Sequence, residues 1–407
     1  MEEQTQILPV QQSSSLAPTQ IDDSGWVSHL TNRRVISMRG KDVKAFLQGL
    51  ITSDMNVFDQ EGPQRAAIYA TFMTPKGKIR MDCFIVRPLL ANQNSGETEY
   101  WIDVEENDVS EFLSIVTKHR IRKDVKFLDV SDAIEVFSVS TPMGVDCPAG
   151  HIFQDLQSQA MQFESEEFPG HMETDVVCFA DPRTAMNGVR ILCGKGSFEW
   201  DESDITNYPD SKYYNFARMT NGILESTAEV KNQFPLHLNF DQLNSVSTTK
   251  GCYIGQELIQ RSTHTGVIRK QTFPFIVIKD PSFNPEDFAP LKQFNPDFTS
   301  KLVDAEVQTE KKVTVGKVLA NQFNAGIAMM NLPKLLQQTP ETRYFIQDKP
   351  VMLWQPAWQK IRKIDTSEQD EAEQQKMQEE HNQQILDKMK EVDLKERSDN
   401  DKFDKQK

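Results

Sequence analysis

Residues 248–271 read TTKGCYIGQELIQRSTHTGVIRKQ, and the reading of this stretch decides the reading of the chain. One cysteine, Cys252, stands between Lys250-Gly251 and Tyr253-Ile254-Gly255. Glycines at 251 and 255 permit positive φ and close approach of another backbone or a ligand. The GQELIQRS that follows is rich in helix formers, which places Cys252 just ahead of a helix N-terminus. Unpaired amides and the helix dipole there favour a thiolate, and Lys250 adds a positive charge. A thiolate serves nucleophilic attack and iron ligation alike. The plainer alternative is a buried thiol beside a structural turn. His264 is the nearest histidine, but no Asn or Asp orienter and no oxyanion loop accompany it, which disfavours a thiol protease. Zinc would call for paired cysteines. Glu257 and Arg261 stand four apart, either as a surface ion pair or as a brace for the cysteine loop. Arg269 and Lys270 either meet an anionic ligand such as a polyglutamate tail or sit on a solvated strand end.

The chain of 407 residues is long enough for two or three compact domains. A hydrophobic share of 38% with 26% charged residues reads as soluble and globular. A formal net charge of −15 argues against broad binding to nucleic acid or to an anionic membrane. No apolar run approaches the ~18 residues of a membrane span. The cysteines, Cys83, Cys147, Cys178, Cys193 and Cys252, are odd in number and scattered, with no C-x-x-C. That pattern points to a reducing compartment without a disulfide framework. A metal held by Cys252 would draw its other ligands from far along the chain, from a small molecule or from another protein.

Residues 1–24 are Gln/Ser/Pro-rich and read as a disordered leader. They lack the basic and apolar regions of a secretory signal. Glu2 and Glu3 make them a poor mitochondrial transit peptide. NRRVISMRG reads as a strand. KDVKAFLQGLITSD reads as an amphipathic helix, with Val43, Phe46, Leu47 and Leu50 at helical spacing and Asp42 at its N-terminal end. AAIYATFMTPKGKIRMDCFIVRP reads as a hairpin turning at Thr74-Pro75-Lys76-Gly77, with Ile79, Met81, Cys83 and Ile85 on one apolar face. EYWIDV adds a strand and VSEFLSIVTKHR a helix. VKFLDV, IEVFSVS and VVCFADPRTAMNGVRILC supply further strands around a loop-rich insertion at 141–170. Short β-like runs through 271–350 predict a small C-terminal β-barrel or sandwich. The resulting fold class is α+β, with helices on one face of mainly antiparallel sheets. The domain limits are 25–265, 266–355 for the barrel, and an acidic, partly helical or disordered tail over 356–407.

KGCYIGQELIQR followed by GVIRK resembles the signature of the YgfZ-type folate-binding proteins, relatives of the T-protein (aminomethyltransferase) of the glycine cleavage system. Within that family the chain is in particular similar to the eukaryotic mitochondrial iron–sulfur cluster assembly factors. RGKDVKAFLQGLITSDM, YATFMTPKGKIRMDCFIV, KHRIRKDVKF, FADPRTAMNGVRIL, GILESTAEVKNQFPLHLNFDQL and VGKVLANQFNAGIAMMNL follow in family order over roughly 25–350. The resemblance implies a T-protein-like ring of domains around a central pocket for tetrahydrofolate, and a role in maturing 4Fe–4S proteins in the mitochondrial matrix. It implies A-type iron–sulfur carriers and 4Fe–4S client enzymes as partners, with no nucleic acid and no membrane span. It makes Lys250, Gly251, Gly255, Gln256, Glu257 and Arg261, with Asn239, the candidate cofactor-binding set. Cys252 becomes the candidate for redox chemistry or for one ligand of a transient iron–sulfur cluster shared with a partner. His237 stands where the family carries an acid, and Thr248 where an aromatic is usual.

Three functions compete. The first is the assembly factor just described. The second is a tetrahydrofolate-dependent one-carbon (aminomethyl) transferase. That chemistry needs a carboxylate to orient the pterin and move protons. Asp103, read as the acid at the end of WIDV, is the nominee, although a strand-end Asp is more often a turn or cap residue. The third is a folate-binding regulatory module without catalysis.

Overall fold

The computed structural model describes residues 11–12, 26–59, 66–88, 97–140, 176–196, 206–265, 268–279 and 290–362. The 141–170 insertion, Cys147 and the acidic tail beyond 362 lie outside the described residues, as does the leader apart from one short strand. That strand, β1 (Gln11–Gln12), pairs in parallel with Trp354 and Gln355, so the segment read as disordered contributes two residues to a sheet.

Next in the chain come β2 (Trp26–His29), β3 (Arg33–Gly40), α1 (Val43–Gln48), β4 (Ala67–Met73), β5 (Ile79–Val86), β6 (Thr98–Glu105), α2 (Val109–His119) and β7 (Lys126–Asp129). Strands β4-β5-β6-β3-β7 form an antiparallel sheet. One face packs under α1 and α2, burying Val43, Phe46, Leu47, Phe112 and Val116 with Met38, Phe72 and Met81. Cys83 is part of this core.

Two local readings change. The helix α1 ends at Gln48, shorter than the apolar spacing foretold, because Ile51 leaves to bridge Phe72. The face shared by Ile79, Met81, Cys83 and Ile85 is broken. A bulge at Arg80 shifts the register between Phe72 and Met73, and Ile79 joins the core on the opposite side of the sheet.

That opposite side meets a second sheet, ordered β11-β2-β8-β10-β9, built from β8 (Ile134–Ser140), β9 (Val177–Ala180), β10 (Val189–Gly194) and β11 (Thr206–Tyr208). The chain continues through α3 (Lys212–Thr220), α4 (Thr227–Val230) and α5 (Gln256–Thr265). It ends in β12 (Lys270–Val277), β13 (Glu306–Thr309), β14 (Thr314–Gln322), β15 (Ala325–Asn331), α6 (Leu332–Leu336), β16 (Tyr344–Ile346) and β17 (Lys349–Gln355). Strands β17-β12-β15-β14-β13-β16 pair in turn, and β16 pairs back onto β17, which closes a six-stranded barrel. Closure leaves no free strand edge around the ring. Helix α3 packs on the barrel at β14 and β15. The Trp358 indole donates to the Asn221 carbonyl at the end of α3 at 2.8 Å.

Candidate functional site

Cys252 lies on a loop four residues before the first residue of α5. It is exposed, which overturns the buried-thiol reading. The loop is held from three sides. Ser247 N–H donates to Thr52 O at 2.9 Å, and the Thr52 and Ser53 hydroxyls donate to Ser245 O at 2.6 and 2.9 Å. Past the cysteine, Ile254 packs on the core beneath α1. Gly255 sits at φ +83, and a Cβ there would stand 2.5 Å from Thr74 O and 2.8 Å from Met73 Cβ. Glycine at 255 is therefore what lets α5 start against the β4–β5 turn. Gly251, by contrast, has open space around it.

Lys250 does not face the thiol as a counter-charge. Its ammonium donates to the carbonyls of Gln48, Ile51 and Ser53 at 2.6, 2.9 and 2.8 Å, capping the chain where it leaves α1. It also lies 5.0 Å from the centroid of the Tyr253 ring. Burial pulls this ammonium down to about 8, with Asp54 opposing. Gln256 accepts from Tyr253 N–H at 3.2 Å, so it organises its own loop. Glu257 and Arg261 meet at 3.5 Å with side chains 79% and 49% exposed, a surface ion pair rather than a brace. Asn239 is apart from the loop. It is fully buried at φ +62, and its amide donates to Thr272 O and Oγ1 at 3.1 and 3.0 Å, tying the 3₁₀ turn Pro235–Leu238 to β12. The nominated set thus gathers Lys250 to Arg261 on one loop and helix, with Asn239 elsewhere. The Lys250 ammonium, Gln256 Oε1 and Asn239 Nδ2 are engaged within the protein, whereas Asn239 Oδ1 is buried without a hydrogen-bond partner among the described residues. Burial pushes the Cys178 thiol up to about 12 and Cys83 well above its usual value.

His237, in place of the family acid, is neutral at physiological pH. Burial draws it down to about 4, helped by Lys78, Lys270 and Arg362.

Asp103 is not at a strand end. It is the sixth of eight residues in β6 and fully buried, at the centre of an ion network that sequence reading missed. Arg33 Nε and Arg190 Nη1 hold its two carboxylate oxygens at 2.6 and 2.5 Å. Glu225 joins Arg190 at 3.1 Å, Arg183 at 2.8 Å and Arg33 at 3.4 Å, and accepts from Tyr214 OH at 2.5 Å. Burial alone would raise the Glu225 carboxyl, but Arg190, Arg183, Arg33 and Arg218 hold it well below the usual carboxylate range. Asp82 sits at the margin, accepting from Tyr69 OH at 2.8 Å and Ser226 N–H at 3.0 Å, and burial pushes it up to about 6. The signal available in sequence was Arg190, which shares a strand face with buried Leu192. A buried guanidinium implies an acid, but nothing local says which.

Two packed sheets, a closed terminal barrel and an exposed thiol on a glycine-bounded loop define the T-protein-like fold class. Among solved structures the chain is similar to the glycine cleavage system aminomethyltransferase T of Bartonella henselae. The TM-score is 0.55 at 10% identity, over 84% of this chain and 88% of that one, a likeness of fold. No family model matches the chain. Among curated proteins it is 29% identical over 343 residues to a protein of Aspergillus fumigatus named iron-sulfur cluster assembly factor IBA57 homolog, mitochondrial, covering 79% of this chain and 73% of the relative. Proteins of the same name from Mycosarcoma maydis and Neurospora crassa are each 26% identical, covering 79% and 84% of this chain and 78% of each relative. The chain is thus similar to a set of proteins that carry the IBA57 name, at 26–29% identity.

Proposed function

We propose that this chain is an assembly and maturation factor for 4Fe–4S proteins of the mitochondrial matrix, presenting Cys252 as one sulfur ligand of a cluster shared with an A-type carrier. The observation that carries the reading is the contrast between an exposed Cys252 and the tied loop around it. A thiol so placed approaches a cluster on another protein without unfolding anything. On ligation it loses its proton to solvent and takes one iron position, and the partner's thiolates take the others. The naming of the relatives as mitochondrial iron–sulfur assembly factors supports the same reading.

Tetrahydrofolate enters this proposal through the fold class. In the buried network Asp82 Oδ1 and Arg183 Nη1 have no hydrogen-bond partner among the described residues, an acceptor and a donor beside the Tyr69 and Phe84 rings. A pterin edge requires both kinds of group and an aromatic wall, so Asp82 and Arg183 would hold it.

Anaerobic mixing of the chain with a cluster-loaded A-type carrier tests the main reading. A shared-cluster absorption band should form with the wild type and vanish with Cys252→Ala. A band of equal strength in the variant would sink the ligand role.

A further inference from the structure

Helix α2 ends in the turn Lys118-His119-Arg120-Ile121-Arg122-Lys123. Its apolar residue is turned outward: Ile121 is 77% exposed, the most exposed of the large hydrophobic side chains among the described residues. The turn is braced. Lys123 N–H donates to Arg120 O at 3.0 Å, and Asp124 N–H donates to the Asp42 carboxylate at 2.8 Å. The Arg120 guanidinium lies 5.2 Å from the Phe127 ring centroid. Arg122 takes φ +60 to complete the bend. A rigid turn that holds an isoleucine in water among cations has the composition of an interface anchor inside a charged rim.

Its position relates it to Cys252. Asp42, which Asp124 grips, precedes the first residue of α1, and Lys250 caps the last carbonyl of the same helix. Those six residues rise about 9 Å. Ile254, two residues beyond the cysteine, packs on the core that α1 covers. A standard interface of about 800 Å² per partner is roughly 30 Å across, wide enough to cover both ends of α1. Charge distinguishes this end. Lys41, Lys118, Arg120, Arg122 and Lys123 are exposed here, opposed by Asp42 and Asp124. The cations of this turn outnumber its carboxylates, so an acidic protein is attracted to it.

We propose that the Arg120–Lys123 turn is the docking point for an acidic protein that brings thiolates to Cys252, with Ile121 entering an apolar socket on that partner. This rests on the shared-cluster reading above. A lipid or nucleic-acid surface fits less well, because one turn offers few phosphate contacts.

The test is calorimetric titration of the full chain with an A-type carrier of acidic isoelectric point, at 50 and 300 mM salt, with the cluster band recorded in parallel. Ile121→Asp and the double variant Arg122→Glu/Lys123→Glu should each weaken binding about tenfold at low salt. The deficit of the double variant should shrink at high salt and that of Ile121→Asp persist. Both positions are exposed, and unchanged melting curves confirm intact folding. Unchanged affinity in both variants overturns the docking surface, as does a wild-type chain that does not bind the carrier. Charge-sensitive binding to phosphatidylserine vesicles or duplex DNA in place of the carrier also overturns it. Cys252→Ala separates the two ideas: it should abolish the band and leave affinity for the cluster-free carrier within about twofold. A band that survives Cys252→Ala removes the shared-cluster reading whatever the turn variants do.

Discussion

The ammonium of Lys250 lies 2.6 Å from the carbonyl oxygen of Gln48, 202 residues earlier in the chain. With Ile51 O and Ser53 O it forms a three-point cap that fixes where the cysteine loop leaves the surface. Lys250→Met keeps the aliphatic stem and removes all three donors. It should cost about 2–3 kcal/mol in urea unfolding. It should also raise amide exchange across 247–255 and weaken the cluster band without touching Cys252. Lys250→Arg should not restore the band, because a planar fork does not converge on three carbonyls as an ammonium does.

The two glycines beside the cysteine should behave oppositely. Gly255→Ala introduces a Cβ 2.5 Å from Thr74 O at φ +83, and should destabilise by about 2–4 kcal/mol in thermal melts. Gly251→Ala meets open space and should stay within about 0.5 kcal/mol of the wild type. Equal effects would mean that the loop does not rest on the β4–β5 turn as described.

Asp82 should make stability depend on pH. Its folded value, about 6, lies above the ordinary carboxylate value because burial disfavours the anion. The folded state therefore holds this proton more tightly than the unfolded chain. The penalty is absent below about pH 4, grows as pH rises, and is complete above about pH 6. Asp82→Asn should raise unfolding free energy by about 1–3 kcal/mol at pH 7.5 and by nothing at pH 3.5. A gain that is the same at both pH values would contradict this assignment.

Asp103 stands between two guanidinium groups whose side chains are each 2% exposed. Asp103→Ala should destabilise by about 3–5 kcal/mol, because it strands Arg33 and Arg190 without their anion. Measured by chemical unfolding, that loss identifies a structural keystone. A variant of unchanged stability that lost tetrahydrofolate-dependent aminomethyl turnover would instead favour the transferase reading.

Much of the fold was legible from local pattern. The hairpin at Thr74–Gly77 follows from Pro at the second and Gly at the fourth turn position, and Gly77 takes φ +71. The start of α5 follows from the helix formers after Gly255. The shortened α1 and the displaced Ile79 were not legible, because a bridge to Phe72 and a bulge at Arg80 depend on a neighbouring strand. At the site, Cys252 stands ahead of a helix as its spacing implies, and the contacts of its neighbours come from the fold. Lys250 caps α1, Gln256 closes its own loop, and Glu257–Arg261 is a solvated pair.

The amino-acid sequence by itself determined the short-range matters: strand and helix periodicity, turn glycines, the spacing around Cys252 and the family order of motifs. These depend on backbone dihedrals and on residues a few positions apart. Tertiary structure alone decided which cysteine reaches solvent, how β16 closes the barrel onto β17, and which carboxylates neutralise Arg33, Arg183 and Arg190. Those outcomes join residues separated by up to about two hundred positions. In a dry interior the free energy of a charge depends on the partner that the fold brings to it, not on the residues beside it in the chain.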